Sequence, residues 1–405
     1  MPDASSEVPL LKGRRILLGV CGSIAAYKAA ELASKLTQAG AELDVVLTES
    51  AQKFVSALTF QSLTGRRAYT DSDLWSQEGH VLHVGLAQQA QLLVVAPATA
   101  DTIARLAHGR ADNLLSIAAL AAECPIIVAP AMDAGMFEHP ATQANLAVLR
   151  DRGVTLVGPA EGRMASGLMG MGRMLEPEQL LGHIRWRLGQ EGPLAGRTVI
   201  VTAGGTQEPL DPVRVLANRS SGKQGFALAQ AAIDRGAAVI LIAGPSTPET
   251  PVGADRVKVE TAAQMAEAVA EALPRAEVLL MAAAVADFRP TRAEPNKLKR
   301  QSGVPLVSLE PTEDILVSLG ENRPKLVVGF AAESDDLLAS ARTKLEEKDL
   351  DLIVANDITA SDAGFGADTN RVTLIGRNGE AQSLPLLTKV EVAERVLDMV
   401  VELLG

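Results

Sequence analysis

The chain has 405 residues, 47% hydrophobic and 21% charged, which is globular composition and too long for one ordinary core. Its formal net charge of -11 excludes a general nucleic-acid binder, since phosphate backbones demand clustered Lys and Arg. Residues 1–15 hold no apolar core of signal-peptide length, and the apolar stretch 114–132 is interrupted by Glu123 and Pro125, so no membrane span is expected. Cys21 and Cys124 give no disulfide framework, and the five histidines include no His-x-x-x-His pair. A cytoplasmic, metal-independent fold is the expectation.

Short apolar runs alternate with longer helical patterns along the whole chain. The first half has runs at 15–20, 43–48, 92–96, 126–129 and 154–157, and the second at 199–203, 239–243, 278–282, 326–330 and 352–355. Runs of this length, rich in Val, Ile and Leu, suit strands buried on both faces. They predict two doubly wound, Rossmann-like α/β domains with mainly parallel sheets. The halves echo each other: RILLGV and VIVTAGG each lead through a Gly-containing loop to a helix ending near Gly40 or Gly236, then to another strand. The second copy carries an insertion at 206–222. The segment LGQEGPLAG (188–196) reads as the linker, so the domains are 1–190 and 191–405.

Residues 19–28 read GVCGSIAAYK: a strand end, a turn at Gly22, and Ser23 as the cap of a helix from Ile24 to about Gln38. Free N–H groups and the dipole at such a helix start suit a phosphate, although an ordinary capped βα turn reads the same way. The G-x-G-x-x-G fingerprint is absent, which disfavours NAD. Three further segments add to this one: TES (48–50), APATADTIARLAHGRADNLLS (96–116) and PAMDAGMF (130–137). With GSIAAYK they resemble, in order, the flavin-binding cysteine decarboxylases, the family that includes phosphopantothenoylcysteine decarboxylase. The resemblance implies FMN, with its phosphate near Gly22, Ser23 and Ile24 and its rings near Thr48, Pro97, Thr99 and Ser116.

The family's catalytic histidine precedes the APATAD strand by an interval that His83 meets and His80 does not, and imidazole titrates near working pH. By resemblance, the thiol-bearing carbon of the substrate's cysteine is oxidised, carbon dioxide leaves, and the remaining enethiol is reduced. Two positions depart from the family. Asp133 stands where its P-A-M-N motif has Asn, and an ionised Asp repels a substrate carboxylate. Ser166 stands where its proton-donating Cys is expected, counting back from Gly172-Arg173-Met174, and serine is a far weaker acid.

The insertion holds Asp211-Pro212-Val213-Arg214 and Asn218-Arg219-Ser220-Ser221-Gly222-Lys223, more than a connector needs, yet not the spacing of a P-loop. With AAAVADF (282–288), NKLKRQ (296–301), VVGFAAE (327–333), ARTKLEEKDLDLIVAND (341–357) and GFGADTN (364–370), it resembles the phosphopantothenate–cysteine ligases. Bacterial members fused behind a decarboxylase use CTP and pass through an acyl-cytidylate. The resemblance puts Ala283, Asp287 and Phe330 against the nucleotide, Lys297, Lys344 and Lys348 on its phosphates, and Asn218 on the acyl-cytidylate. Arg214 is a candidate for substrate phosphate, since a guanidinium fork suits that group. Lys344 and Lys348, four apart, share a face if helical. The family's K-N-P-D-I keeps only Asp314 and Ile315 here. Mg²⁺ is implied with the triphosphate, and the family suggests homo-oligomers, with front-domain trimers joined through back-domain dimers. Two alternatives stay open: a front half that stops at the enethiol, and one that is a non-catalytic flavin-binding regulatory module.

Overall fold

The computed structural model describes residues 7–75, 81–163, 165, 167–245, 247–299, 306–333, 337–357 and 367–405. The chain divides into two compact units, Met1–Leu188 and Gly189–Gly405.

The front unit is built on a six-stranded sheet. In spatial order its strands are Ala68–Thr70, Glu42–Leu47, Arg15–Val20, Leu92–Ala98, Ile126–Pro130 and Thr155–Leu156, and every pairing is parallel. Alternate residues serve opposite faces, as the two-residue period of a strand requires. Leu18, Leu43, Val45 and Leu92 pack one core with Phe60 and the helix Ala26–Gln38. Leu17, Val46, Leu93 and Val95 pack the other with Leu114, Leu115 and Ala118 from the helix Leu114–Ala121. Each fully buried Leu or Val contributes roughly 1.5–3 kcal/mol of transfer free energy. The first helix ends as expected, with Gly40 in the left-handed region (φ 95°) just past its C-cap. Its start differs from expectation. The helix begins at Ala26, two residues later than predicted, and Ser23 is not its cap: the Ser23 hydroxyl accepts from Ala25 N–H at 3.3 Å inside a tight turn.

The back unit has eight strands, in the order Ala254–Lys258, Ala238–Ala243, Thr198–Ala203, Val278–Met281, Leu326–Glu333, Leu352–Asp357, Val372–Gly376 and Ala381–Ser383. The first six run parallel and the last two antiparallel. Helices Ala262–Ala272 and Leu337–Glu347 cover one face through Met265, Val269 and Leu345. Helices Lys223–Asp234 and Lys389–Leu404 pack against each other elsewhere in the unit. The insertion is not a bare loop: Gln207–Pro209 pairs antiparallel with Val215–Ala217. Among the described residues, no helix is long and apolar enough to cross a membrane.

Candidate active sites

Parallel α/β sheets open a crevice at the carboxyl ends of the strands where the strand order reverses. In the front unit that point lies between Arg15–Val20 and Leu92–Ala98. A cleft of about 730 Å³ opens there. The turn after the first strand supplies Gly22, Ser23 and Ile24, the start of helix Ala100–His108 supplies Thr99, and the turn after Ile126–Pro130 supplies Met132 and Asp133. Gly22 is required by closeness: a Cβ there would lie 2.5 Å from the Cβ and Oγ of Ser50, so the turn can pack on the T-E-S segment only without a side chain.

The antiparallel hairpin of Ala160–Arg163 and Met169–Arg173 forms the outer wall, contributing Arg163, Ala165, Gly172 and Arg173. Lys28 pins this wall to the first helix. It is 3% exposed, donates to the Met174 carbonyl at 3.0 Å and pairs with Glu176 at 2.9 Å. Sequence alone gives Lys28 no role, because its partners lie 146 and 148 residues away.

Asp133 caps the short helix Ala134–Glu138, its Oδ1 accepting from Gly135 N–H at 3.2 Å. Asp is among the preferred helix N-cap residues, which gives it a local physical rationale at this position. Thr99 caps its helix by accepting from Thr102 N–H at 3.3 Å. Thr48 is buried and donates to Val20 O, Pro97 is buried and its carbonyl accepts from Cys21 N–H at 3.2 Å, and Ser116 is held in a reciprocal cap with Asn113. None of these three is among the residues lining the cleft, nor is His83. His83 sits half-buried in helix Leu82–Gln89, which packs on the helix carrying Ser116. His80 and Ser166 lie outside the described residues.

The back unit's strand order reverses between Thr198–Ala203 and Val278–Met281, and a cavity of about 440 Å³ lies there. Hydrogen bonds stitch its floor. Ala283 N–H donates to Thr202 Oγ1 (3.1 Å), Ala284 N–H to Gly204 O (2.8 Å) and Ala286 N–H to Thr206 Oγ1 (2.9 Å). The run of alanines lets the backbone come this close. Gly222 holds φ 71° at the cap of helix Lys223–Asp234, where a Cβ would also stand 2.7 Å from Thr247 Cγ2.

Ala283, Asp287, Asn218, Asp314, Ile315, Phe330, Lys344 and Lys348 all line this one cavity. Asn218 donates to Val285 O at 3.0 Å. Lys344 and Lys348, at and just past the end of helix Leu337–Glu347, both reach it. Lys348 pairs with Asp314 at 2.8 Å, and although burial pushes the Asp314 carboxyl up, that ammonium and two backbone N–H groups hold it below the usual range.

Arg214 and Lys297 stand outside the lining, but their segments are joined to each other. Asp211, 2% exposed, pairs with Arg214 at 2.9 Å and accepts from Leu298 N–H at 3.1 Å, while Arg214 donates to Leu298 O at 3.1 Å. The Arg214 guanidinium, read as a phosphate ligand, is thus already engaged with a buried carboxylate. Lys223, Gln224, Asn356, Asn370 and Lys389 also line the cavity and were not assigned from sequence. Among the described residues no group of three or more His, Cys, Asp or Glu forms a metal cage.

Comparison with known proteins adds to this geometry. The family described as "Flavoprotein" matches residues 4–189, and "DNA/pantothenate metabolism flavoprotein C-terminal domain" matches 194–404. The Coenzyme A biosynthesis bifunctional protein CoaBC of Bacillus subtilis (strain 168) is 45% identical over 398 residues, covering 97% of this chain and 98% of that one. The chain belongs to this family. It is a bifunctional enzyme of coenzyme A biosynthesis, with decarboxylase and ligase activities and a flavoprotein front unit. The family's proteins from Vibrio vulnificus (strain YJ016) and Mycobacterium tuberculosis (strain ATCC 25618 / H37Rv) are each 43% identical, covering 98% and 97% of this chain and 99% and 97% of their own lengths. A solved C-terminal domain of a CoaBC protein is 40% identical, covering 53% of this chain and 98% of its own, with a TM-score of 0.46.

Proposed function

We propose that the back unit joins phosphopantothenate to cysteine at the expense of CTP, and that the front unit decarboxylates the product with FMN. In the ligase step the phosphopantothenate carboxylate attacks the α-phosphate of CTP, pyrophosphate leaves, and the cysteine amine then displaces CMP from the acyl-cytidylate. The observation that carries this reading is the convergence of Asn218, Ala283, Asp287, Phe330, Lys344 and Lys348, scattered over 131 positions of sequence, on one cavity at the strand-order reversal. Lys344, Lys348 and the start of helix Lys223–Asp234 neutralise a triphosphate there, with Lys297 brought in from the exposed segment tied to Arg214. Mg²⁺ arrives with the triphosphate rather than in a protein cage.

The front cleft suits FMN in size and in its donors: it lies within the usual range for cofactor sites, and a helix start, Lys28 and Arg163 line or border it. Gly22, Ser23, Ile24 and Thr99 would hold it, with Thr48, Pro97 and Ser116 supporting the ring end. When bound, FMN supplies two-electron redox chemistry at the cysteinyl carbon. Asp133 orients the substrate from its helix cap, His83 moves the proton, and Ser166 stands at the donor position.

His83 does not line the cleft that holds Asp133, and the cleft is edged by exposed Ile24, Tyr27 and Met136 (61%, 59% and 52% exposed). Both facts support a homo-oligomer in which His83 of one front unit serves the cleft of another, in trimers linked through back-unit dimers. Phosphorylated substrates and CTP fit a cytoplasmic enzyme. Mass analysis of the products from phosphopantothenate, cysteine and CTP tests the whole reading. Pyrophosphate, CMP, carbon dioxide and a phosphopantetheine-sized thiol are expected. A protein that releases no pyrophosphate from CTP in the presence of phosphopantothenate refutes the ligase half.

A further inference from the structure

The insertion before helix Lys223–Asp234 is fastened at its base to the body of the back unit. Glu208 is 3% exposed, and its Oε1 accepts from Ala262 N–H at 2.8 Å, at the start of helix Ala262–Ala272. Gln207 N–H donates to Glu260 O at 2.7 Å, and Thr206 Oγ1 accepts from Ala286 N–H at 2.9 Å. The insertion hairpin is thus a fixed arm. Asp211 stands at its turn, between Gln207–Pro209 and Val215–Ala217.

The segment carrying Lys297 has the opposite character. It leaves the cavity rim at Asp287 and returns at Thr312, with Phe288–Pro290 paired to Leu309–Pro311 at its base. Residues 292–299 form neither helix nor strand. Among the described residues, the hydrogen bonds that hold 294–298 all run to the arm. Glu294 N–H donates to Leu210 O (3.0 Å), Leu298 N–H to Asp211 Oδ2 (3.1 Å), and Arg214 Nη1 to Leu298 O (3.1 Å).

The two oxygens of Asp211 serve different ends. Oδ1 accepts from Val213 and Arg214 N–H, at 2.8 and 2.9 Å, and so holds the turn of the arm itself. Oδ2 takes the Arg214 guanidinium and the Leu298 N–H. That N–H belongs to the planar peptide joining Lys297 to Leu298, so Oδ2 fixes the plane from which Lys297 hangs. We propose that Asp211 is a positioning residue for the ligase reaction, anchoring the Lys297 backbone so that its ammonium can meet the nucleotide phosphates. The inference rests on the ligase reading and gives the insertion its purpose within it. A lysine on an unanchored loop must lose backbone and side-chain freedom to act, whereas an anchored one loses only the second.

Pyrophosphate release by the full-length protein, with CTP and phosphopantothenate varied separately, tests this. Asp211→Asn keeps an oxygen for the turn but puts an NH₂ group where Leu298 N–H needs an acceptor. It is expected to lower kcat roughly tenfold or more while the KM for CTP moves by less than about twofold. Asp211→Ala, which loses the turn contacts as well, should be less stable to urea yet no slower. In the double variant Asp211→Asn/Lys297→Gln, kcat should match that of Lys297→Gln alone within about twofold, because the carboxylate acts through that lysine. Wild type offers a check that needs no variant to fold: without ligands, its Leu298 amide should exchange with deuterium at least roughly tenfold more slowly than a free peptide. Exchange at the free-peptide rate overturns the proposal. So do single-variant defects that multiply in the double variant, or activity that falls in step with stability from Asn to Ala. A wild type that releases no pyrophosphate would instead overturn the ligase reading, and this role with it.

Discussion

Ser166 and Asp133 both depart from the family pattern, but they differ in their chemistry. Asp133 caps a helix and accepts a backbone N–H, so its carboxyl group is engaged by the chain itself rather than aimed wholly at a substrate carboxylate. Ser166 has no chemical counterpart to a thiol's acidity. Loss of a positioned general acid typically costs roughly 10²–10⁴-fold, so Ser166→Cys is expected to raise phosphopantetheine formation. Wild type is expected to accumulate some enethiol, two hydrogens lighter, visible by mass spectrometry. Clean phosphopantetheine from wild type with no gain in the variant would show that another group donates the proton.

At the scale of elements, the insertion hairpin is organised by Asp211. Burial alone pushes its carboxyl up, but N–H donors from Val213, Leu298 and Arg214 and the Arg214 guanidinium outweigh that and hold it below the usual range. A depressed carboxyl contributes stability that is present above its unfolded pKa, about 3.9, and is lost as pH falls through the folded value. Asp211→Asn should therefore lower the urea midpoint of the back unit at pH 7, and the gap to wild type should shrink on acidification below about pH 4. A gap that stays constant down to pH 3 would contradict this role. The same hairpin shows where sequence reading stops. The buried strand runs were legible because a strand covered on both faces must be apolar throughout, as Leu92–Ala98 is. Ala381–Ser383 was not, since it closes an edge and is wholly exposed. The motif residues that line the back cavity were legible through family resemblance. Asn370 and Lys389 were not, because they are brought to the cavity together only through Gln224, 146 and 165 positions away.

For the molecule as a whole, the division at Leu188/Gly189 gives each unit its own sheet, core and cavity. The segment 189–405 alone should release pyrophosphate from CTP when phosphopantothenate is present, and within it Lys297→Gln should suppress turnover while leaving the circular dichroism unchanged. Wild-type rates in that variant would remove Lys297 from the machinery. The packing of helix Lys389–Leu404 against helix Lys223–Asp234 has a consequence for synthesis on the ribosome. The front unit has its whole sequence in hand when residue 188 emerges, and can fold while translation continues. The back unit begins at its central strand, yet its cavity takes Lys389 from a helix made after all of its strands. A nascent chain can therefore carry a finished flavin domain long before it can carry a ligase, and premature termination should yield the first without the second.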